Sequence, residues 1–251
     1  MEVNKRTLKA KEKYEGKVFK TNNFGDYIVT KCVSGKEVHI KFIDTGYEAV
    51  VSVSNIAVGN IKDNLKPFVY GVGYLGSNLE LKSTYYGKDC PIYQRWRMMI
   101  RRCYSEKFHQ RCPTYIGCYV SDDFKDYSKW REWYDNYQYK HDGWQLDKDL
   151  IIKGNKVYSA TTCVFLPREI NTVLLKRDKT RGEYLIGVCY NKRNENFEVA
   201  MSKYGKTVNL GYFDNEYDAH LAYKEVKEAH LKELADKYKR LARLKSIQSI
   251  V

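Results

Sequence analysis

The chain has 251 residues, of which 43% are hydrophobic, and it carries a formal net charge of +13. This length and composition allow two or three small domains with packed cores. No stretch reaches the run of about 18 apolar residues that a membrane-spanning helix needs, and no secretory signal opens the chain, so we expect no membrane partner and a cytoplasmic location. The excess of Lys and Arg, with 23 Tyr, favours a nucleic-acid partner, because basic side chains bind phosphates and aromatic rings stack on bases.

Seven cysteines are spread over the chain, and no two form a C-x-x-C pair. An odd number in a chain of this length does not predict a secreted disulfide framework. Cys103, Cys112 and Cys118, with His109 between them, could bind zinc, but their spacing fits no regular zinc finger or ribbon. We therefore favour buried or free thiols over a zinc site.

The first third of the chain predicts a basic arm followed by a small β domain. Residues 1–13 are rich in Lys and are expected to be partly helical. Residues 14–64 alternate short β-branched runs with turn signals, which predicts about four strands in an SH3-like β-barrel. Such a barrel either contacts nucleic acid or docks another protein, and the sequence favours neither. Residues 65–91 are expected to be a linker.

Residues 92–104 predict an amphipathic helix. Its apolar side is expected to carry Ile92, Trp96, Met99, Ile100 and Cys103. Its other faces carry basic side chains, including Arg95, Arg101 and Arg102. These arginines either hold the DNA backbone or form a solvated surface, and we favour phosphate contact.

Residues 144–171 combine two apolar runs, a turn and the start of a helix. Asp147 ends the first run, and a Lys-Gly-Asn turn separates it from the second. The second run leads to Pro167, a favoured first helical residue, which places Asn171 about one turn into a helix. This strand–loop–strand–helix unit can bring an acid and an amide to one hard cation, which prefers oxygen ligands.

The pattern resembles the HNH (ββα-metal) endonucleases, and within them a branch common in phage genomes. The matching elements are Asp147-Lys148-Asp149, Gly154-Asn155, Tyr158-Ser159, Cys163 and Asn171. The resemblance implies an HNH-like domain over residues 92–176. In that domain Asp147 and Asn171 would hold Mg²⁺ or another divalent cation such as Mn²⁺ against the scissile phosphate.

Two positions depart from the family pattern. Lys148 stands where a His usually activates the attacking water, and Thr162 stands where the middle Asn is expected. A Lys acts as a base only if its pKa is lowered by its surroundings. His109 and His141 are the histidines that could replace the missing base. The departures also keep a second hypothesis open, in which Asp147 and its neighbours only cap a loop and the nuclease site has decayed.

Residues 182–245 predict three antiparallel strands with one face covered by a long helix and one face bare. The strands are expected at residues 184–190, 196–204 and 207–213. The helix is expected to begin after a cap at Asp214 and to pack through Tyr217, Leu221 and Ala222.

This segment resembles the plant ethylene-response-factor (Apetala-type) DNA-binding domain, which also occurs fused to phage HNH nucleases. The resemblance is carried by Ile186-Gly187-Val188, Phe197 through Ser202, Leu210-Gly211-Tyr212-Phe213-Asp214 and Asp218-Ala219-x-x-Ala222-Tyr223. It implies that the sheet lies in the major groove of double-stranded DNA.

Period-two alternation predicts which side chains face the DNA. Val199, Met201, Val208 and Leu210 are expected to face the helix, and the outward set is Cys189, Asn191, Ala200, Ser202, Thr207 and Asn209. Asn191 and Asn209 are candidates for reading adenine, whereas phosphate contacts are expected from Lys192, Arg193, Lys203 and Lys206. Several outward positions are Arg or Trp in the plant proteins, so we expect weaker base discrimination. The alternative is a sheet used for protein contact.

These features predict an α+β, multidomain chain with an SH3-like β-barrel, a central ββα-metal domain and a C-terminal three-stranded sheet packed on a helix. The function we favour is a phage-type HNH DNA endonuclease, homing or nicking, in the host cytoplasm. The alternative is a DNA-binding protein that does not cut, acting as a regulator or as a phage inhibitor of a host defence system, with a host protein as a further partner.

Overall fold

The computed structural model describes residues 5–78, 84–85, 88–137, 140–141, 143–174 and 183–248. Helices and small sheets alternate along the chain, which confirms the predicted α+β class. The chain divides into two compact units, residues 1–139 with 148–164, and residues 140–147 with 165–251. The narrower domain boundaries predicted from the sequence, namely those of the arm, the barrel, the linker, the HNH-like domain and the C-terminal domain, stay predictions. Parts of the predicted basic arm and linker, and the charged segment at residues 176–182, lie outside the described residues.

The first unit begins with a helix and an antiparallel sheet. Helix α1 (Lys5–Tyr14) precedes four strands in the order β1-β2-β3-β4, with bounds β1 (Val18–Lys20), β2 (Asp26–Ser34), β3 (Glu37–Phe42) and β4 (Glu48–Val51). Burial alternates along β2 and β3, so one face of the sheet forms the core, as the period of a strand requires. The four predicted strands are therefore present.

The last β-branched run of the predicted barrel, residues 48–56, was expected to be a strand throughout, but it ends in a short helix. Helix α2 (Val53–Val58) follows β4 after Ser52, whose side chain accepts a hydrogen bond from the backbone N–H of Asn55. The side chain of Asn55 bonds back to the backbone of Ser52, so the two residues form a capping box. This local cap overrides the β-branched composition of the run. Two short paired strands, β5 (Thr84–Tyr85) and β6 (Lys88–Asp89), lie in the predicted linker.

Helices dominate the middle of the first unit. The predicted amphipathic helix is α3 (Pro91–Tyr104), and it is followed by α4 (Glu106–Arg111), a 3-10 helix (Pro113–Tyr115), β7 (Tyr119–Val120), α5 (Asp122–Lys125) and α6 (Tyr127–Asn136). Trp96, Met99 and Ile100 are fully buried as expected, but Tyr93 takes the buried place predicted for Ile92. The indole N–H of Trp96 donates to the carbonyl oxygen of Phe124 at 2.7 Å, which joins α3 to α5.

The strand–loop–strand–helix segment forms as predicted. It comprises β8 (Gln145–Asp147), β9 (Val157–Tyr158), β10 (Val164–Leu166) and α7 (Arg168–Leu174). Strand β8 pairs with β10, and β9 pairs in parallel with β7. Helix α7 starts directly after Pro167, and it carries Asn171 one turn in.

Three antiparallel strands and a long helix make up most of the second unit. They are β11 (Val188–Asn191), β12 (Asn196–Lys203), β13 (Lys206–Phe213) and α8 (Glu216–Gln248). The first strand begins four residues later than predicted because Gly187 precedes it in the left-handed region, at φ 86°. A Cβ at Gly187 would lie 2.2 Å from the ring of Tyr223, so glycine allows α8 to approach the sheet.

Several predicted packing positions of this region are wrong. Helix α8 packs through Ala219, Tyr223, His230 and Leu234, whereas Tyr217 and Leu221 are 64% and 43% exposed. The cap is Asn215 rather than Asp214, since the Asn215 side chain accepts from the backbone N–H of Asp218 at 2.8 Å. On β13, Val208 shares the helix side with Met201 but is 41% exposed.

Candidate functional site

The side chain of Asn171 reaches β8. Its Nδ2 donates to Oε1 of Gln145 at 2.8 Å, across 26 residues of chain. Gln145 and Asp147 are two residues apart on one strand, so their side chains leave the same face, with Cα atoms roughly 6–7 Å apart. Asn171 therefore lies on the face of β8 that carries Asp147.

This face carries oxygen-bearing side chains that are half-buried and still accessible to solvent. Gln145, Asp147 and Asn171 all have intermediate exposure. A carboxylate and amide carbonyl oxygens are the donors that Mg²⁺ and Mn²⁺ prefer. The chemistry of these side chains fits such an ion, with Asp147 and Asn171 as candidate ligands and Gln145 in contact with Asn171. Gln145 was missed at the sequence level, although its place two residues before Asp147 could have indicated it.

Lys148 lies in the base position of the family pattern but is built into the loop after β8. It is 6% exposed, and its ammonium group donates to the Asp149 carboxylate and, at 2.6 Å, to the carbonyl oxygen of Asn155. The Asn155 amide returns a hydrogen bond to the carbonyl oxygen of Lys148 at 2.8 Å. As a donor in both contacts, the Lys148 side chain holds the loop closed.

Thr162, at the position of the family's middle Asn, also holds backbone. It is 8% exposed, and its hydroxyl donates to the carbonyl oxygen of Val157 at 2.8 Å. Its oxygen accepts from the backbone N–H of Ser159 at 3.2 Å. Both departures from the family pattern therefore have structural roles in the segment between β8 and β10.

The arginines of α3 differ in their surroundings. Arg102 hydrogen-bonds Tyr158 and lies 5.9 Å from the ring centre of Tyr115. Burial opposes its charge, but the neighbouring tyrosine hydroxyls outweigh this and keep the pKa of its guanidinium above the ordinary value. Arg101 lies 5.2 Å from the ring centre of Phe108, and Arg95 is partly exposed. Arg102 is therefore an internal contact rather than an open phosphate brace.

The two candidate replacement histidines lie in different units. A ring nitrogen of His109 is 2.8 Å from the carbonyl oxygen of Arg102, which fixes that ring to α3 in the first unit. His141 belongs to the second unit, with Asp147 and Asn171, and its ring centre lies 4.2 Å from that of Trp144. Of the two, His141 is the candidate that shares a unit with the acid and the amide.

The cysteines considered for zinc are mostly buried. Cys103 and Cys118 are 4% exposed, and burial raises the pKa of the Cys103 thiol to about 12. Cys112 is partly exposed. Within the described ranges, no group of three or more His, Cys, Asp or Glu side chains could hold a metal ion.

The bare face of the C-terminal sheet carries the outward residues that alternation predicts. Val199 and Met201 are buried against α8, whereas Ala200, Ser202 and Thr207 are exposed. Cys189 pairs with Glu198 and Asn191 with Asn196 across the sheet, which puts all four on this bare face. The face is polar and includes one acid, Glu198.

The two asparagines proposed to read adenine hold backbone instead. Asn191 Oδ1 accepts from the backbone N–H groups of Arg193 and Asn194, at 3.1 and 3.3 Å. Asn209 Oδ1 accepts from the backbone N–H of Gly211 at 2.8 Å, beside the bulge that follows Val199. Reading adenine needs both ends of the amide, so neither side chain is arranged for it here.

Three of the four predicted phosphate contacts are exposed. Lys192 and Arg193 lie in the loop between β11 and β12, and both are exposed. Lys206 is also exposed, but it is the first residue of β13 and pairs with Lys203, which puts it on the helix side of the sheet. Lys203 faces α8, where its ammonium group lies 2.8 Å from Glu233 Oε2. Lys203 is therefore paired with an acid and is not one of the exposed cations available to bind phosphate.

Helix α7 is also tied to α8 within the second unit. The carboxylate of Glu169 accepts hydrogen bonds from Lys237, at 2.6 Å, and from the hydroxyl of Tyr238. Burial works against the charge of Glu169, but these two donors outweigh it and hold its pKa below the ordinary value. The sequence carried no signal for this contact, since the residues are almost 70 positions apart.

Comparisons with protein-family models, curated proteins and solved structures found no match to this chain. Across the part of the chain that the structure describes, no helix has both the length and the apolar character needed to cross a membrane.

Proposed function

We propose that this chain is a metal-dependent DNA endonuclease of the phage HNH type, which nicks or cuts double-stranded DNA. The observation that carries the proposal is the 2.8 Å hydrogen bond between Asn171 and Gln145. It brings the amide of α7 to the face of β8 that bears Asp147. The paired strands followed by a helix supply the ββα order that such a site needs.

Asp147 and Asn171 would hold Mg²⁺ or Mn²⁺, which would polarise the scissile phosphate and stabilise the leaving oxygen. Gln145 fixes the orientation of the Asn171 amide, and this would leave the carbonyl end of Asn171 for the cation. His141 supplies an imidazole in the same unit as this site, and we assign it the task of accepting a proton from the attacking water.

DNA binding is assigned to basic side chains in both units. Lys192 and Arg193 are exposed in the loop between β11 and β12, Lys206 is exposed at the start of β13, and Arg95 and Arg101 lie on α3. Contacts of this kind position a duplex without reading its sequence. Because the two asparagines on the sheet hold backbone, we propose modest sequence preference.

A plasmid-nicking assay with Mg²⁺ or Mn²⁺ tests the proposal. The wild type should nick supercoiled DNA, and Asp147→Ala should abolish nicking without weakening DNA retardation. Gln145→Leu should lower the rate by roughly 10–100-fold, as expected for a residue that orients a metal ligand. Asp122→Ala removes a carboxylate that is 96% exposed, and it serves as the matched control.

A second function is favoured by the buried Lys148 and Thr162. Both replace polar residues of the family pattern with side chains committed to the backbone. A chain with this scaffold and no working base would bind DNA without cutting it, as a regulator or an inhibitor of a host system. DNA retardation with no metal-dependent nicking, unchanged by Asp147→Ala, would support this function and reject the first.

A further inference from the structure

The second unit contains a cleft of about 530 Å³ whose lining includes none of the residues assigned to the proposed cleavage. Its walls come from α7, the turn between β12 and β13, α8 and the residues before β8. The lining side chains that matter here are Trp144, Arg168, Tyr204, His230 and Tyr238. Clefts of this size hold small ligands in many proteins.

His230 contributes a nearly buried imidazole ring to the cleft wall. The residue is 2% exposed, and within the described residues its Nδ1 makes no hydrogen bond. The nearest acid is Glu233, whose Oε2 lies 3.7 Å away and already faces Lys203 at 2.8 Å. The Nδ1 side of the ring therefore faces Glu233, and the His230 ring as a whole forms part of the cleft wall.

Aromatic rings line much of the remaining wall. Trp144 and Tyr238 meet edge to face at 5.9 Å, and Tyr204 meets His230 in the same way at 5.0 Å. Tyr204 occupies the left-handed backbone region, at φ 51°, while its hydroxyl donates to Glu233 at 2.8 Å. Tyr204 and Gly205, at φ 77°, are the central residues of the two-residue hairpin turn between paired Lys203 and Lys206, a turn that requires positive φ at both positions. This turn carries the Tyr204 ring into the cleft wall.

Charges at the cleft favour an anionic group beside a ring. Arg168 is exposed at the start of α7 and places a guanidinium at the rim. The carboxylate of Glu169 accepts hydrogen bonds from Lys237 and Tyr238, so its negative charge is balanced within the protein. A guanidinium binds phosphate in a fixed, two-pronged geometry.

We propose that this cleft binds one unstacked nucleotide. Its base would lie against the aromatic rings and the imidazole ring of His230, and its phosphate would meet Arg168. The nucleotide is either free in solution or displaced from a DNA strand. A chain that binds DNA without cutting it would hold the nucleotide equally well, so the site does not depend on the proposed cleavage.

Fluorine NMR of the intact protein labelled with 5-fluorotryptophan tests the site. The Trp144 signal is assigned from Trp144→Phe, and the ligands are dAMP, deoxyribose 5-phosphate, a hairpin DNA with one bulged nucleotide, and the same hairpin with an abasic bulge. The chemical shift of Trp144 should change on addition of a ligand that carries a base. It should not change on addition of the matching ligand that lacks the base. A shift with dAMP alone identifies free nucleotide as the ligand, and a shift with the bulged DNA identifies a displaced one.

Arg168→Gln and His230→Leu should each weaken the dAMP or bulged-DNA response at least about fivefold. Tyr217→Ala changes an exposed aromatic side chain of α8, the helix that carries His230, and should leave the response unchanged. Thermal melting shows whether each variant is folded, and Arg168→Gln keeps the test open if the buried His230 variant unfolds. A Trp144 signal that no ligand moves, an equal response to base-free ligands, or full affinity in Arg168→Gln would overturn the proposal. Because dAMP needs no duplex, the site can be judged even if the chain fails to bind DNA.

Discussion

Lys148 shows how one side chain can stand in a functional position of a sequence pattern and serve the fold. It is 6% exposed and donates to Asp149 and to the carbonyl oxygen of Asn155. A general base must accept a proton from water, whereas this ammonium group is engaged as a donor.

We therefore expect Lys148→Met to act on stability. Loss of a buried donor leaves the Asn155 carbonyl oxygen unpaired, so the free energy of unfolding should fall by about 1–3 kcal/mol. Nicking by the folded fraction should persist, and urea unfolding alongside the plasmid assay measures both. Unchanged stability with complete loss of nicking would instead make Lys148 the base.

Glu233 predicts a pH dependence of stability. Hydrogen bonds from Lys203 and Tyr204 lower the pKa of its carboxyl from 4.5 to about 2. A group whose pKa is lower in the folded state stabilises the fold above its unfolded pKa, and this contribution is lost as pH falls through the folded pKa.

The melting temperature of Glu233→Gln should therefore lie below that of the wild type at pH 7. The gap should narrow between about pH 4.5 and pH 2. Glu228→Gln, which changes an exposed acid on the same helix, is the control. A gap that stays constant down to pH 2 would show that the charge of Glu233 does not contribute.

At the scale of elements, close approach of α8 to the sheet depends on Gly187. A Cβ there would lie 2.2 Å from the Tyr223 ring, and the residue has φ 86°. Gly205 has a similar φ of 77° but no atom within 4 Å of its would-be Cβ. Substitution of Gly205 would add backbone strain alone, whereas substitution of Gly187 would add both backbone strain and a clash with a side chain.

Gly187→Ala should lower the free energy of unfolding by about 2–5 kcal/mol, since strain and overpacking add. Gly205→Ala should cost only the backbone part, about 1–2 kcal/mol. Denaturant unfolding of both variants compares them directly. Equal losses would mean that Tyr223 moves aside and that the packing is loose.

The elements were predictable where periodicity was regular. The alternation of β12 gave the correct faces for Val199 and Met201, and the apolar spacing of α3 gave a helix with Trp96, Met99 and Ile100 inside. Predictions failed where a local bond decides. The capping box at Ser52 turned a β-branched run into α2, and the Asn191 bonds in its own loop were hidden in the linear sequence.

The candidate site was predictable only in part for the same reason. Asp147 and Asn171 stand out because a turn, a proline and a helix fix their places. Gln145 and Glu169 act through contacts over 26 and 68 residues, which no local pattern reports. Burial decided the role of Lys148, and burial depends on the packing of the whole loop.

For the whole molecule, the net charge of +13 sets the expected form of DNA binding. Each phosphate neutralised by a basic side chain contributes roughly 0.9 to the slope of log K against log salt. Lys192 and Arg193, between β11 and β12, and Lys206, at the start of β13, are exposed cations at the two ends of the sheet.

Changing these three residues to Ala should reduce the salt slope by about 2–3 and weaken binding similarly on all sequences. Lys224, Lys232 and Lys239 are exposed on α8, so their triple Ala variant removes the same charge away from the strands. Filter binding over a salt series measures both. An equal loss in the two variants, or an altered sequence preference in the first, would contradict docking through the sheet.

The most direct test of the account is where Mn²⁺ binds. Paramagnetic broadening of the backbone NMR signals of the intact chain reports the residues nearest the ion. We predict broadening of β8 (Gln145–Asp147) and of α7 around Asn171, lost in Asp147→Ala and retained in Asp122→Ala. Broadening confined to other regions, or an unchanged pattern in Asp147→Ala, would contradict a metal site built from these two elements.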